Sequence, residues 1–241
     1  MQTAHLDELI ELEETYWWHV AKRRLVVDLL RRYAPPPGRL VEGGVGSARN
    51  LQEFQQMGYE VAGLDVMPEA VDHGRNRGVD DVRLHDLASP WPAESGSLRA
   101  IVLLDVIEHI ADPVAVLKHA RDALHDDGAI IFTVPAYQWL MGEWDVKLGH
   151  YRRYNFRMLR KQASEAELRV VRLSHWNSFT LPPALVVRLA DRIFRRDREA
   201  EFPRVSSWFN ATLLGFAAVE RAWLRRLLVP AGLSLVGVLK K

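Results

Sequence analysis

Residues 41–48 read VEGGVGSA, in which an acid and three glycines follow a short apolar run. Glycines let the backbone turn sharply and approach a ligand closely. The Glu42 carboxylate would repel a pyrophosphate in this loop, whereas it suits a cation such as an amino-acid ammonium. Ala48 also stands where the dinucleotide fingerprint has its third glycine. The loop therefore favours S-adenosylmethionine over NAD, and a purely structural glycine turn is the alternative interpretation.

On both sides of this loop, short apolar runs alternate with helical patterns. We predict strands over residues 39–42, 61–65, 82–84, 100–105, 129–134, 168–173 and 234–239. We predict helices over residues 6–33, 47–57, 68–77, 112–124 and 158–165, and a helical insertion over 183–228. Apolar strands separated by helices indicate a doubly wound α/β fold, whose parallel sheet is covered on both faces. Ligands bind such sheets at the carboxyl ends of the strands, so we place the candidate site there.

Acidic residues follow the second and third predicted strands. Asp65 can accept hydrogen bonds from both hydroxyls of a ribose, and Val66 and Met67 can cover an adenine ring. Asp65 could also cap the helix that starts at Pro68. Asp86 can accept a hydrogen bond from the adenine amine, or it is an ordinary turn residue.

The fourth predicted strand leads into residues 105–109, DVIEH. His109 is a candidate general base there, and a structural histidine is the alternative. Asp105, Glu108 and His109 could also hold a hard divalent ion such as Mg²⁺. Our main expectation is a site without a metal.

Residues 135–160 form a long polar and aromatic loop, and loops of this length are usually functional. His150 on this loop is a second candidate base. The aromatic cluster at residues 16–19, YWWH, either closes over the cofactor or belongs to the core. The candidate acceptor-binding residues of the two segments are Trp17, His19, Tyr137, Trp144, Tyr151 and Arg152.

The motifs VEGGVGSA, Asp65, HDL (85–87), LLDVIEHI (103–110) and DDGAIIFTVP (126–135), in this order, resemble those of class I S-adenosylmethionine-dependent methyltransferases. The resemblance covers about residues 15–175. It implies a Rossmann-like sheet of seven strands, the last antiparallel, with a helical insertion before it. It also implies that Glu42, Gly44 and Gly46 face the methionine part, Asp65 the ribose and Asp86 the adenine. The full expected set of cofactor-binding residues is Glu42, Gly43, Gly44, Gly46, Asp65, Val66, Met67, Asp86, Leu87, Leu104 and Asp105. Glu42 and Ala48 depart from the family's commoner Asp and Gly.

The YWWH cluster and residues 142–154, GEWDVKLGHYRRY, resemble a bacterial subgroup of small-molecule methyltransferases. DVIEH is similar to the metal-binding stretch of ubiquinone-pathway O-methyltransferases. These resemblances imply methyl transfer to the oxygen, nitrogen or carbon of a small-molecule or lipid-like acceptor, with S-adenosylhomocysteine as product. The alternatives are a nicotinamide-dependent oxidoreductase and a non-catalytic S-adenosylmethionine-binding protein that acts through its C-terminal helices.

Composition narrows the classes of partner. The 241 residues include no cysteine, which excludes disulfides and cysteine-ligated metals. The net charge of +1 predicts no nucleic-acid partner. Residues 181–241 nevertheless hold 11 basic and 5 acidic residues. We expect their helices to cap the acceptor pocket, with dimer pairing or weak contact with an anionic membrane surface as alternatives.

The motifs and the apolar runs also predict how the chain is organised. No apolar run reaches the length of a transmembrane helix, and we expect a cytoplasmic protein. We also expect a monomer or a homodimer, and an acceptor that is apolar or anionic. We expect a single domain: an N-terminal helical lid (1–36), a cofactor-binding core (37–180), a helical insertion (181–232) and a last strand (233–241).

Overall fold

A mixed sheet of seven strands organises the computed structural model, which describes residues 3–194 and 203–241. The strands are β1 (Gly38–Gly43), β2 (Tyr59–Asp65), β3 (Val82–Leu84), β4 (Leu98–Leu104), β5 (Leu124–Pro135), β6 (Arg169–Trp176) and β7 (Ser234–Lys240). Their order across the sheet is β3-β2-β1-β4-β5-β7-β6. Strands β1 to β5 pair in parallel, and β7 pairs antiparallel with both β5 and β6. The predicted fold class is confirmed.

Helices cover both faces of this sheet. They are α1 (Thr3–Leu12), α2 (Trp17–Tyr33), α3 (Arg49–Gln56), α4 (Pro68–Asn76), α5 (Pro113–Ala123), α6 (Glu143–Lys147), α7 (Phe156–Glu165), α8 (Leu181–Phe194) and α9 (Ser207–Leu224). Successive side chains of a strand point to opposite faces. Leu40 accordingly belongs to the core cluster that includes residues of α2, α3 and α4, whereas Val41 belongs to the cluster that includes residues of α5 and α7. Burial on both faces explains why the strands are continuous apolar runs.

The prediction of one helix over 6–33 is wrong, because a non-helical segment separates α1 from α2. Glu13 lies at the break and is buried. Its carboxylate accepts hydrogen bonds from the Ser47 hydroxyl and from Arg77. These distant partners hold the end of α1 beside the glycine loop, so the chain turns before α2 begins at Trp17.

Other element boundaries also differ from the predictions, most of them by one to three residues. Strand β5 begins at Leu124, which pairs with Leu98 of β4. Strand β4 ends at Leu104, since Asp105 has a φ of 55°, which no strand residue adopts. The predicted loop over 135–160 contains α6, and α7 starts early because Asn155 caps it by accepting from the Met158 N–H at 2.9 Å.

The described part of the helical insertion contains two helices, α8 and α9, and α9 packs against α2. Residues 195–202 of the predicted insertion and residues 1–2 of the predicted lid lie outside the described residues. Because β1 to β5 run in parallel, their carboxyl ends lie along one edge of the sheet, and the residues that follow them form the candidate site.

Candidate active site

The glycine loop after β1 requires glycine at two positions. Gly44 and Gly46 have φ values of 71° and 52°, in the left-handed region. A Cβ at Gly44 would lie 2.5 Å from Val106 Cγ2, on the loop after β4. A Cβ at Gly46 would lie 2.8 Å from Leu9 Cδ2 of α1. The loop is therefore packed between α1 and the end of β4, with its backbone close to both.

Glu42 is a buried carboxylate at the carboxyl end of β1. Its Oε1 accepts a hydrogen bond from Asn50 Nδ2 at 2.8 Å. Its Oε2 is also buried and has no partner among the described residues. Burial, partly offset by Asn50 and Lys22, raises the pKa of Glu42 to about 8. A bound cation would pair with this oxygen and favour the ionised form of the Glu42 carboxyl.

Asp65 at the end of β2 ties the second strand to the glycine loop. Its Oδ2 accepts from the Gly46 N–H at 3.1 Å, and its Oδ1 from the Met67 N–H at 2.9 Å. The alternative of a helix cap is wrong, because the cap position of α4 is Met67. Each Asp65 oxygen keeps a lone pair for a further donor.

The other residues expected at the adenine differ in exposure. Val66 is 59% exposed, whereas Met67 lies in the core. Asp86 is exposed, and its Oδ1 accepts from the Ala88 N–H at 2.9 Å, as in the turn alternative. Leu87 and Leu104 are core residues, and Leu87 lies directly under Gly43.

Asp105 forms an ion pair that the sequence motifs do not predict. Its Oδ2 accepts from Lys22 Nζ of α2 at 2.8 Å, and this ammonium lies 5.8 Å from the centre of the Trp18 ring. Burial would raise the pKa of Asp105, but the Lys22 ammonium outweighs it and lowers that pKa. The sequence signal that could have indicated this pair is Lys22 itself, a basic residue one helical turn after the YWWH cluster.

Glu108, His109 and His150 meet just beyond the end of β4. Their ligand atoms lie within 4.8 Å of one another, so this group could hold a metal ion. Asp105, the third predicted ligand, pairs with Lys22 instead, and His150 lies in its place beside Glu108 and His109. Both carboxylate oxygens of Glu108 are buried without a partner in the part of the chain that is described. Burial, with Asp105 nearby, raises the pKa of Glu108 well above its ordinary value.

The two histidines of this group differ in their surroundings. Their rings are 4.6 Å apart and nearly perpendicular. Burial, reinforced by His150, lowers the pKa of His109 to about 4. His150 Nδ1 lies 3.0 Å from Asp145 Oδ1. Because an ionised carboxylate only accepts hydrogen bonds, Nδ1 carries the proton and Nε2 is the basic nitrogen.

Asp145 is the central residue of the long loop and was also missed. It is fully buried, and it accepts from Arg153 Nε at 2.7 Å and from the Gly142 N–H at 3.0 Å. Arg188 of α8 reaches it at 3.3 Å. Burial opposes ionisation, but His150 and Arg153 outweigh it and lower the pKa of Asp145. Asp145 therefore holds the loop, His150 and α8 together.

The candidate acceptor-binding residues fall into two groups. Trp17 and His19 are each only 7% exposed, and Trp17 packs on Phe179 with ring centres 5.5 Å apart. Burial, followed by the charge of Lys22, lowers the pKa of His19 to about 3. The cluster continues as Trp18 stacks on Trp176 at 4.8 Å.

The second group belongs to the long loop. The Tyr151 N–H donates to the Glu108 carbonyl at 2.8 Å, which places this exposed tyrosine beside the histidines. Arg152 donates to the Ala111 carbonyl at 2.9 Å. Tyr137 stacks on His175 at 5.2 Å. Trp144 is half-buried on α6.

A family model described as a methyltransferase domain matches residues 17–173, well over half of the chain. The chain belongs to this methyltransferase domain family. The match spans every strand from β1 to β5 and the loops that carry the candidate site, as the sequence motifs predict.

Individual similar proteins agree with this assignment of the methyltransferase domain. The ubiquinone biosynthesis O-methyltransferase of Xanthomonas campestris pv. campestris (strain B100) is 23% identical over 107 residues, or 42% of this chain and 45% of that protein. The chain thus matches less than half the length of this curated relative.

Two solved structures share the fold of the methyltransferase domain. One is a chain of the Haloferax volcanii complex between the Trm112 methyltransferase activator and a methyltransferase, with a TM-score of 0.64 and 20% identity over 99% of this chain and 94% of that one. The other is geranyl diphosphate C-methyltransferase from Streptomyces coelicolor A3(2), with a TM-score of 0.62 and 12% identity over 92% of this chain and 77% of that one. The latter is a complex with Mg²⁺, geranyl diphosphate and S-adenosyl-L-homocysteine.

The methyltransferase domain's own residues fit S-adenosylmethionine. The buried Glu42 Oε2 has no hydrogen-bond donor among the described residues, and the left-handed Gly44 and Gly46 follow Glu42 in the same loop. Asp65 offers a second pair of acceptors at the neighbouring strand end. Within residues 3–194 and 203–241, no helix has the length and apolar character to cross a membrane.

Proposed function

We propose that this protein transfers the methyl group of S-adenosylmethionine to a small acceptor with an apolar body and an anionic group. The observation that carries the proposal is Glu42 Oε2, buried without a partner among the described residues at the end of β1. A buried polar oxygen of this kind costs free energy until a donor reaches it. The ammonium of the cofactor's methionine part is the donor that suits it.

The remaining cofactor contacts follow from the same sheet edge. Gly44 and Gly46 let the methionine part lie against the loop backbone. Asp65 already accepts one backbone N–H on each oxygen and accepts the ribose hydroxyls with its remaining lone pairs. The exposed Val66 and Asp86 contact the adenine.

Bound S-adenosylmethionine supplies an electrophilic methyl group on a sulfonium, which the acceptor's nucleophilic atom takes by in-line displacement. Holding the acceptor in line supplies much of the rate, so the chain's first task is positioning. His150 is the better placed general base, because Asp145 fixes its tautomer and leaves Nε2 free of the proton. His109, with a pKa of about 4, is a weaker base and serves as a wall of the acceptor site.

The acceptor class rests on the side chains of the long loop. Tyr151 is 59% exposed next to the histidines, and Arg152 lies over its ring at 5.6 Å. An arginine beside an aromatic ring suits an apolar molecule that carries a phosphate or carboxylate. Geranyl diphosphate, which the similar Streptomyces enzyme binds, is a molecule of this class.

Calorimetry tests the cofactor half of the proposal. We expect S-adenosylhomocysteine to bind and NADH not to bind. Asp65→Ala should weaken S-adenosylhomocysteine binding by roughly 1–3 kcal/mol, since it leaves buried donors unpaired. Asp72→Ala, on the exposed side of α4, is the matched control and should bind normally. Binding of NADH alone would overturn the proposal.

A product assay tests the transfer half. The release of S-adenosylhomocysteine is followed over a panel of prenyl phosphates, aromatic acids and their neutral analogues. We expect turnover with anionic apolar acceptors and little with the neutral ones. Turnover confined to neutral, polar acceptors would contradict the proposed acceptor class and leave the cofactor assignment intact.

A further inference from the structure

The outer face of α9 exposes large apolar side chains. We define this face by Trp208, Phe209, Phe216, Val219 and Trp223, whose exposed fractions run from 45% to 76%. At 3.6 residues per turn these five positions fall within an arc of about 100°. The sequence has no charged residue from Val205 to Val219. Large apolar side chains exposed side by side on one face of a helix mark an interaction surface.

The inner face of α9 is firmly attached to the rest of the protein. Glu220 accepts from the backbone N–H groups of Asn177 and Ser178, both at 2.8 Å. Asn210 accepts from the Trp17 N–H at 2.8 Å and donates to the Thr15 carbonyl. These contacts fix the rotation of the helix, so its outer face cannot turn into the core. The apolar stripe therefore stays exposed in the part of the chain that the structure describes.

The C-terminal end of α9 adds more apolar surface and a group of arginines. Leu227 and Leu228 are more than half exposed, and Arg226 beside them is exposed as well. A cavity of about 270 Å³ lies between α2 and α9 at this end. Five arginines line it together with a single acid, Asp28, among the lining residues that the structure describes. These arginines are Arg31, Arg32, Arg172, Arg221 and Arg225.

Among the described residues, the charge of this end is only partly neutralised. Arg221 and Arg225 share Asp28, at 3.1 and 3.0 Å. Arg32 and Arg172 donate to backbone carbonyls at the end of α9, which are not full charges. The end of the helix therefore presents a net positive charge next to exposed leucine and tryptophan.

We propose that the outer face of α9, with Leu227, Leu228 and the arginines at its end, docks the protein on the surface of a membrane that contains anionic lipids. Tryptophan and leucine on one side of a helix, with arginine at its edge, suit the boundary between headgroups and acyl chains. Anionic headgroups supply the counter-charge for the basic residues.

A second copy of the chain fits this surface less well. Residues 203–241 contain one acid, Glu220, which is buried and already accepts two hydrogen bonds. Two copies that paired through α9 would bring arginines together with no acid from this region to meet them. An anionic bilayer satisfies both the apolar stripe and the arginines.

Sedimentation with vesicles tests the docking surface. The full chain is mixed with vesicles of equimolar phosphatidylglycerol and phosphatidylcholine, and separately with phosphatidylcholine alone. We expect binding to the mixed vesicles that weakens with salt, and much weaker binding to phosphatidylcholine. Trp223→Gln with Leu227→Gln should reduce the binding at least tenfold, and Arg226→Gln should reduce it roughly fivefold.

Matched controls lie far from α9. Leu84→Gln removes an equally exposed apolar side chain on β3, the opposite edge of the sheet, and Arg157→Gln removes an exposed arginine of α7. Both should bind vesicles like the unmodified protein, and the melting temperature of every variant shows that it is folded. Failure of the unmodified protein to bind mixed vesicles overturns the proposal, as does unchanged binding by the α9 variants. A dimer in sedimentation equilibrium that Trp223→Gln dissociates, without vesicle binding, assigns the surface to a second copy instead.

Discussion

The proposed contact between Glu42 and the cofactor predicts that cofactor binding depends on pH. With a pKa of about 8 in the cofactor-free protein, Glu42 is mostly protonated at neutral pH, and pairing with an ammonium requires its ionised form. We therefore expect the affinity for S-adenosylhomocysteine to rise with pH until the pH passes about 8. Glu42→Gln should weaken binding by about 1.5–3 kcal/mol at that pH and remove this pH dependence. Calorimetry across pH, in buffers of different ionisation enthalpy, measures both the affinity and the released proton.

The Glu42 carboxyl also makes the stability of the cofactor-free protein depend on pH, and here the free energy of unfolding falls as pH rises. The folded state keeps the proton up to about pH 8, whereas the unfolded chain loses it near 4.5. The Glu42 contribution to the free energy of unfolding is thus largest below pH 4.5 and falls as pH rises through about 8. Glu42→Gln should flatten this part of the stability profile. An unchanged pH dependence of both binding and unfolding would show that Glu42 is not the group that titrates.

The two histidines can be separated by equivalent substitutions. His150→Gln should reduce kcat by roughly 10²–10⁴-fold and leave the affinity for S-adenosylhomocysteine unchanged, because it removes the proposed base. His109→Gln should cost much less, since burial already makes this ring a poor base. Stopped assays of both variants with and without a chelator give the comparison. If both variants lose kcat to the same extent, and the unmodified protein loses it equally in chelator, Glu108, His109 and His150 are metal ligands.

Glu13, immediately after α1, is a buried side chain that fixes the end of this helix. Glu13→Ala removes the shared partner of Ser47 and Arg77 and should lower the free energy of unfolding by about 1–3 kcal/mol. Backbone amides of α1 should exchange faster with solvent, while those of β4 should not change. Glu11→Ala, exposed on the same helix, is the control. Uniformly faster exchange across the sheet would show that Glu13 supports the whole domain rather than α1.

Cofactor binding should also be visible in the stability of the whole molecule. A ligand at about 100 times its Kd adds about 2.7 kcal/mol to the free energy of unfolding. For a chain of this size that raises Tm by roughly 5–10 °C. We expect this shift with S-adenosylhomocysteine and none with NADH. Differential scanning calorimetry at matched ligand concentrations measures this Tm shift and decides between the two cofactors without any acceptor.

Much of the sheet and of the cofactor edge is predictable because it depends on local pattern. Apolar runs set β1, β2 and β4, and parallel strands necessarily bring Glu42 and Asp65 to one edge. The glycine loop is equally local, since its left-handed backbone excludes most other residues. Where the sequence motif and the strand end coincide, the position of the residue follows from the fold class.

The missed features all depend on contacts between distant segments. Lys22 and Asp105 are 83 positions apart, and only the packing of α2 on the sheet brings them together. Asp145 gathers His150 and Arg153 from its own loop but Arg188 from α8, a pairing that no sequence period encodes. The break before α2 likewise has its cause in Ser47 and Arg77. Buried charges choose their partners in three dimensions, which composition and spacing do not reveal.

The position of β7 determines the order in which the protein can fold during synthesis. β7 follows the other six strands in sequence but lies between β5 and β6, and within the described residues β6 pairs in the sheet with β7 alone. Until Ser234 leaves the ribosome, one edge of β5 is open and β6 has no place in the sheet. Open strand edges attract other extended chains, so the nascent protein needs protection at this stage. The half of the sheet that holds Glu42 and Asp65 can form early, whereas the β6 side must wait for the last strand.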